Sequence, residues 1–507
     1  MKRKMKVLSL LAAVAMTTAA FAGCGANPSG SPSSGGGTPS SSGNSGQKET
    51  VELTWWHWGE SPKNPDAVIQ ALNKKSAEDI GVTIRFLWAT GEDTKLKTAL
   101  STGAEDDIAF TCSWFAYYPT TAQSGQLLDI TDKLPEQTPD LWNYIPDYVW
   151  EGSRVNGRIY AVPTYKDVAA ASYWYCNKEY VFDQAGAEAE FMAPGERNAV
   201  KTPLMKKLYE YAQQGNPYPH DLTAPYVYNN QGPRTVSNGF EDVFADAGLV
   251  VELGDDTHEV KFMYSTDNYI ADLQTLVEWY KAGYVNQDCA QLEKEPEFCV
   301  VNQAAGWKGA EVAVWGLNKD YTVAICQRTK PVASTSSAIG SMQGIFANSK
   351  HPDEALKFIE YMNLNESYRN MLGYGIEGTN WKDNGDGTVT RLGSDWEPGL
   401  FSQATFFTLK PVAPAPATMY TDMKAEMDQA IQTDLLGFVF DMSNVTNEVA
   451  ACSAVINKHK TTLVCGTMSD ASSYVADVLN ELKTCGWDKI RDEAQKQVDE
   501  FLKNKAS

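Results

Sequence analysis

Histidine is scarce: five occur in 507 residues, and His57, His220, His258, His351 and His459 stand too far apart for metal-ligand spacing. No His-Glu-x-x-His, no Gly-x-Ser-x-Gly and no glycine-rich loop ending in Lys-Ser/Thr occurs. Their absence removes the zincin, serine-hydrolase and P-loop ATPase readings. Gly340-Ser-Met-Gln-Gly344 has both glycines of a hydrolase elbow, but its serine comes one place early, and it reads as strand. Basic runs are missing beyond the first six residues, and the formal charge is −21. That balance excludes a nucleic-acid partner and direct attraction to anionic lipid. None of the eight cysteines after Cys24 forms Cys-x-x-Cys or sits at zinc spacing with a histidine. They are expected as free buried thiols, with Cys452 and Cys465 the one pair to test as a disulfide. No metal and no cofactor is expected.

The N-terminus is a targeting segment. Met1 to Lys6 is a positive n-region, and Val7 to about Ala20 is an apolar stretch too short to span a bilayer. Phe21-Ala-Gly-Cys24 resembles a bacterial lipobox, with Phe21 where leucine is usual. Residues 1–23 are therefore expected to be a lipoprotein signal peptide and Cys24 an acylated, palmitate-bearing N-terminus. Loss of Lys2, Arg3, Lys4 and Lys6 takes the charge to about −25. Residues 24–50 are almost all Ser, Gly, Pro, Asn and Thr, a composition that buries no core and reaches about 25–30 Å as a coil.

A chain of this length is expected to form two lobes or domains. Val51 to Trp58 reads as a first strand holding Trp55, Trp56 and Trp58. Alternation puts Trp56 and Trp58 on one side and Trp55 on the other, which makes Trp55 core and Trp58 the terminal, ligand-facing residue. Asn64 and Pro65 start a helix that Gly81 ends; Val82 to Trp88 is a strand, Glu92 to Thr102 a helix, and Asp107 to Ser113 a strand. Such alternation predicts a mainly parallel α/β sheet, whose ligands bind at the carboxyl ends of the strands. Asn156-Gly157 predicts a hairpin turn before the strand from Arg158 to Val162, and Tyr173 to Asn177 is a further strand. Thr266 to Ala282 and His351 to Met362 are amphipathic helices. Asp383-Asn-Gly-Asp-Gly387 starts like a calcium loop, but Thr388 and Ser394 stand where glycine and glutamate are needed, so a β-turn is predicted, with weak calcium binding near Asp383 and Asp386 left open.

The tryptophan-rich first strand, Asp107-Ile-Ala-Phe110, Gly125-Gln-Leu-Leu-Asp-Ile130 and Asn156-Gly-Arg-Ile-Tyr-Ala-Val-Pro163, in that order behind a lipobox, resemble the family 1, sugar-binding type of extracellular solute-binding proteins. These are the receptors of ABC importers. Ala304-Ala-Gly-Trp307, Ser341 to Ser349 and the helix after it fit the same pattern. Gly373 to Thr379, Gly437-Phe-Val-Phe-Asp441 and the helices from Ser472 to Lys503 resemble a Firmicute subgroup of these lipoproteins with an extra C-terminal domain of poorly described role. The resemblance implies a two-lobed α/β, periplasmic-binding-protein-like fold of the class II type, with the ligand in a cleft between lobes that close by hinge motion. Lobe 1 is expected over 51–163 with 331–408, and lobe 2 over 164–330 with 409–507, with crossings near 163–165, 331–341 and 409–416.

The implied function is a non-catalytic, monomeric receptor that is lipid-anchored on the extracellular face of a Gram-positive cell membrane. It would bind oligosaccharides and deliver them to ABC permease subunits. Sugars offer C–H faces to aromatic rings and hydroxyl rims to charged and amide groups. Trp58, Trp114, Tyr165, Trp307 and Trp315 are the candidates for stacking, and Glu60, Ser113, Lys166, Asp167 and Glu377 those for hydroxyl binding. An acidic sugar or a peptide is the alternative ligand, for which Arg158, Lys166 or Lys308 would supply the charge. With 64 acidic residues, chance carboxylate pairs are plentiful, so a surface-anchored glycoside-active enzyme is the alternative from another class. An adhesive structural lipoprotein is a third.

Overall fold

The structure, a computed structural model, describes residues 50–90, 94–169, 171–232, 239–317 and 319–505. The expected signal segment, Cys24 and nearly all of the linker lie outside these residues, as does Glu92.

Three sheets organise the chain. The first runs Val82–Ala89, Val51–Trp58, Ile108–Thr111, Met342–Ile345, Ala161–Pro163. Its first three strands are parallel, and Met342–Ile345 returns antiparallel between its neighbours. The crossover helix Asp66–Ile80 has Pro65 at its cap with no side-chain cap bond, so Asn64 does not play the predicted part; Gly81, at φ 74°, ends it. The Asp107 carboxylate ties the sheet together, accepting from the Thr54 N–H at 2.8 Å and the Ser349 hydroxyl at 2.6 Å. Trp55 packs on Phe86 and Phe358, while Trp58 lies against Phe110 and Phe115 on the other face. Both faces of a parallel sheet are thus covered, as helical crossovers require.

The second sheet is antiparallel, with Ala171–Asn177 between Val301–Gly306 and Val323–Gln327. Its core face holds Trp174 and Cys176 with Tyr226 and Trp279. The third sheet, Phe240–Phe244, Leu249–Glu252 and Lys261–Phe262, shares a core with the helices Thr446–Cys465, Ala471–Thr484 and Trp487–Lys505. Phe438 and Phe440 of the Gly437-to-Asp441 segment are buried in that core. Cys452 and Cys465 lie on one helix thirteen positions apart. A rise of 1.5 Å per residue separates them by about 20 Å, far beyond disulfide reach, and this rules out the pair singled out from sequence.

Among the described residues, the chain passes between the first two sheets through 164–169 and 328–341. Val332–Ala333, inside the second passage, pairs in parallel with Ile431–Gln432. Residues 409–427, which a boundary at 408 would give to the second lobe, carry Met419, Met423 and Met427 on one stripe of the helix Met419–Met427. Met419 and Met423 pack with Tyr374, Trp381 and Val389, and Met427 enters the core of the first sheet.

The predicted turn at Asp383 joins Trp381–Asp383 to Val389–Arg391. Asp383 accepts from the Gly385 N–H at 2.8 Å and pairs with Lys410; Asp386 accepts from the Thr388 N–H at 2.9 Å. These bonds hold Asp386 within the turn and tie Asp383 to both the turn and Lys410.

Candidate ligand-binding site

On the first lobe, the sequence candidates converge as the strand ends bring them together. Trp58, half-buried, meets Trp114 edge to face at 4.9 Å. Trp114 is 52% exposed and its indole N–H donates to the Gly340 carbonyl at 2.9 Å, which fixes the ring while leaving it open to solvent. Phe401, 39% exposed, stands 6.4 Å from Trp114 and extends the patch. The Ser402 hydroxyl donates to the Trp58 carbonyl, locking residues 400–402 to the end of the first strand. Ser113 is half-buried beside Trp114, held by its N–H on the Ile339 carbonyl. Lys166 and Asp167 are half-buried and form an ion pair with each other. Glu60 is exposed, just past Trp58.

Two candidates do not join this group. Tyr165 is fully buried, with its ring against Tyr144 and Phe407, so no face is open for stacking. Its carbonyl accepts from the Thr405 hydroxyl and the Phe406 N–H, and its work is to hold a crossing segment. Glu377 is exposed and lines a separate cavity of about 410 Å³ with Glu366, Asn370, Trp381, Asp383 and Lys410.

On the second lobe, Trp315 lies flat on Tyr175, with ring centres 4.8 Å apart and planes 8° off parallel, and Tyr173 adds a tilted ring at 5.9 Å. Gly306 lets this happen: a Cβ there would sit 2.7 Å from the Trp315 ring. Tyr173 donates to Glu426 at 2.9 Å. Glu311 accepts from the Gly309 N–H at 2.7 Å and caps the turn after Trp307. Burial, and then the nearby Glu426 and Glu311 carboxylates, push the Tyr173 hydroxyl far above the usual phenol range. Trp307 is half-buried against Phe406, and its indole N–H is a buried donor with no partner in the structure.

Sequence reasoning missed Tyr173, Tyr175, Glu426 and Phe401. The Tyr-Trp-Tyr alternation at 173–175 was the available signal. Of the cations considered for an acidic ligand, Arg158 is tied to Asp129 and Asp132, Lys166 to Asp167, and Lys308 is exposed.

Across residues 59–368 the sequence matches the family described as bacterial extracellular solute-binding protein. The chain belongs to that family. Residues 434–503 of this solute-binding protein also match a family described as a domain of unknown function (DUF3502). A carbohydrate ABC transporter substrate-binding protein of Streptococcus pneumoniae is 25% identical over 91% of this chain and 93% of its own. The crystal structure of the N-glycan transport solute-binding protein NgtS from Streptococcus pneumoniae superposes with a TM-score of 0.81 at 23% identity, covering 90% of this chain and 100% of that one. The same protein in complex with Man5GlcNAc gives a TM-score of 0.73 at 24% identity, over 90% and 99%. The solute-binding protein thus has the two-lobed α/β fold of these neighbours.

Proposed function

We propose that this solute-binding protein is the extracellular receptor of an ABC importer and takes neutral oligosaccharides between aromatic surfaces on its two lobes. The observation that carries the reading is a pair of aromatic groups: Trp58–Trp114–Phe401 on one lobe, with Trp114 and Phe401 exposed, and the half-buried Tyr175–Trp315 stack on the other, backed by the buried Tyr173. Aromatic rings suit the C–H faces of sugars. Ser113, Lys166, Asp167, Glu60 and Glu426 supply groups for hydroxyls, and the free indole N–H of Trp307 supplies a donor. The Glu426 and Glu311 carboxylates near Tyr173, and the internal pairing of Arg158 and Lys166, favour an uncharged ligand over an acidic one. Substrate-binding relatives named for carbohydrate transport and for an N-glycan complex support the same class.

The lobes are taken as 51–163 with the return segment from 331, and 164–330 with the C-terminal region. Cys24 acylation with the 24–50 tether would hold a monomer at the outer membrane face, where it hands ligand to permease subunits. Nothing in either aromatic group requires a bond-breaking step.

A thermal-shift screen tests this, using mannan, xylan, glucan and pectin oligosaccharides together with mannose-rich N-glycan fragments. A ligand at 100 times its Kd should stabilise the protein by about 2.7 kcal/mol. Mass spectrometry of the incubated sugars should find them intact; shortened products would replace the receptor with an enzyme. A preference for uronate oligosaccharides would overturn the neutral-ligand assignment.

A further inference from the structure

The segment 399–405 holds Phe401 beside Trp114, and almost no regular structure supports it. Leu400–Ser402 makes a single 3₁₀ turn, yet Ser402, Gln403, Ala404 and Thr405 are fully buried. Buried carbonyls need donors, and side chains from elsewhere in the first lobe supply them. The Ser341 hydroxyl donates to the Phe401 carbonyl at 2.8 Å, and the Gln343 amide to the Ser402 carbonyl at 2.8 Å. Arg369, fully buried on the helix Glu366–Tyr374, supplies more than both. Its Nε donates to the Thr405 carbonyl at 2.8 Å, one Nη to the Gln403 side chain at 2.7 Å, and the other to the Leu400 and Ala404 carbonyls, each at 3.2 Å.

Every one of these acceptors is a neutral oxygen. A charge in such a place is costly unless it is hydrogen-bonded, and bonds from a charged donor are the stronger ones. Removing the guanidinium would leave its buried acceptors bare. Gly373, one turn further along the helix, provides the room: a Cβ there would sit 2.8 Å from the Leu400 side chain and 3.3 Å from the Arg369 guanidinium. The far side of the segment reaches the aromatic group. There the Ser402 hydroxyl donates to the Trp58 carbonyl at 2.9 Å, and the Phe401 ring stands 6.4 Å from Trp114.

We propose that Arg369 is the positioning residue of the first aromatic surface, setting Phe401 against Trp114 and Trp58 through the backbone of residues 400–405. The proposal rests on the receptor reading above and deepens it. Arg369 is buried and does not meet the sugar; it presets the rings that do. An arginine is required because its donors spread over three nitrogens in one plane and reach acceptors from Leu400 to Thr405. A lysine keeps the charge on a single nitrogen and cannot span them. With the fork gone, the segment has to be ordered as the ligand arrives, and affinity falls by that cost.

The test pairs hydrogen exchange of the ligand-free full chain with calorimetry against the tightest-binding sugar of the screen above, starting with a mannose-rich N-glycan fragment. In Arg369→Lys the amides of 399–406 should exchange about tenfold faster, while those of 171–177 keep the parent rate. The same variant should bind the sugar about tenfold more weakly. Phe401→Ala alone should cost about fivefold, but less than about twofold when added to Arg369→Lys, because the two act through one surface. A merely structural arginine would give fully multiplied costs, and that result, or unchanged exchange at 399–406, overturns the proposal. If Arg369→Lys does not fold, Gly373→Ala keeps the guanidinium but crowds it, and carries the same readouts. A parent chain that binds none of the screened sugars sinks the receptor reading, and the exchange rates then decide whether Arg369 sets the segment.

Discussion

The two lobes each carry an aromatic strand, Trp55-Trp56-His57-Trp58 in the first and Tyr173-Trp174-Tyr175 in the second, and they expose it differently. The first sits in a largely parallel sheet with both faces covered, so Trp55 and His57 are buried on one side and Trp56 on the other. Only the strand end emerges, at Trp58 beside Trp114. The second is the middle of a three-stranded antiparallel sheet. Trp174 enters the core, while Tyr173 and Tyr175 meet Trp315 on the opposite face. In a parallel sheet, binding groups are confined to strand termini; in an antiparallel one, mid-strand side chains can also serve, as the half-buried Tyr175 does here while Tyr173 stays buried behind it.

The comparison can be broken most severely at its buried members. Trp55→Ala and Trp174→Ala should each lose about 3–5 kcal/mol in urea titrations, because each leaves a cavity the size of an indole. A stable Trp55→Ala protein would mean that the first strand is not covered on both sides. Next in size is a pH effect confined to the first strand. Burial among Trp55, Phe86 and Trp88 pushes His57 down to about 3. Between that value and 6.5 the folded chain binds fewer protons at this ring than the unfolded one, so stability is complete above pH 6.5. It is lost as the pH falls through the window, on the order of 1 kcal/mol per unit. His57→Phe should flatten the acid limb of the stability–pH curve, whereas Trp174→Phe should leave its slope alone.

Binding variants come third. Trp58→Ala, Tyr175→Ala and Trp315→Ala should each weaken oligosaccharide binding by about 1–2 kcal/mol, roughly 5- to 30-fold in Kd by calorimetry, with the fold retained. A loss seen on one lobe alone would show that one of the aromatic surfaces is structural. The smallest effect belongs to Glu377→Ala, for which Kd should stay within about twofold, since the residue lines another cavity.

These contrasts also explain how far the sequence could be read. The Asn156-Gly157 turn was legible because both residues hold positive φ, 53° and 77°, as such hairpins demand. The helix Pro352–Leu364 was legible from its period, with Ala355, Phe358, Ile359 and Met362 all buried. The rule that ligands gather at strand ends pointed to Trp58 and Trp114, which the structure brings together, and it could not point to Tyr173 or Tyr175 in mid-strand. Aromatics on both sides of 171–177 leave no polar alternation to say which face is open. Glu426 reaches Tyr173 across 253 positions of chain, a contact no local pattern announces. Tyr165 was misplaced because proximity to a crossing was taken for exposure, whereas the Thr405 and Phe407 contacts close over it.

The short parallel pairing of Val332–Ala333 with Ile431–Gln432 has a mechanical consequence. The passage through 328–341 is sewn at that point to the segment that follows the helix Met419–Met427, so the two cannot twist independently. If the lobes close as proposed, their rotation would be left to neighbouring residues of the two passages, 164–169 and 328–331. Stiffness of closure is then set by a handful of backbone torsions remote from any bound sugar. In the proposed closing receptor, the balance between gaping and shut forms would be retuned there without altering a contact to the ligand.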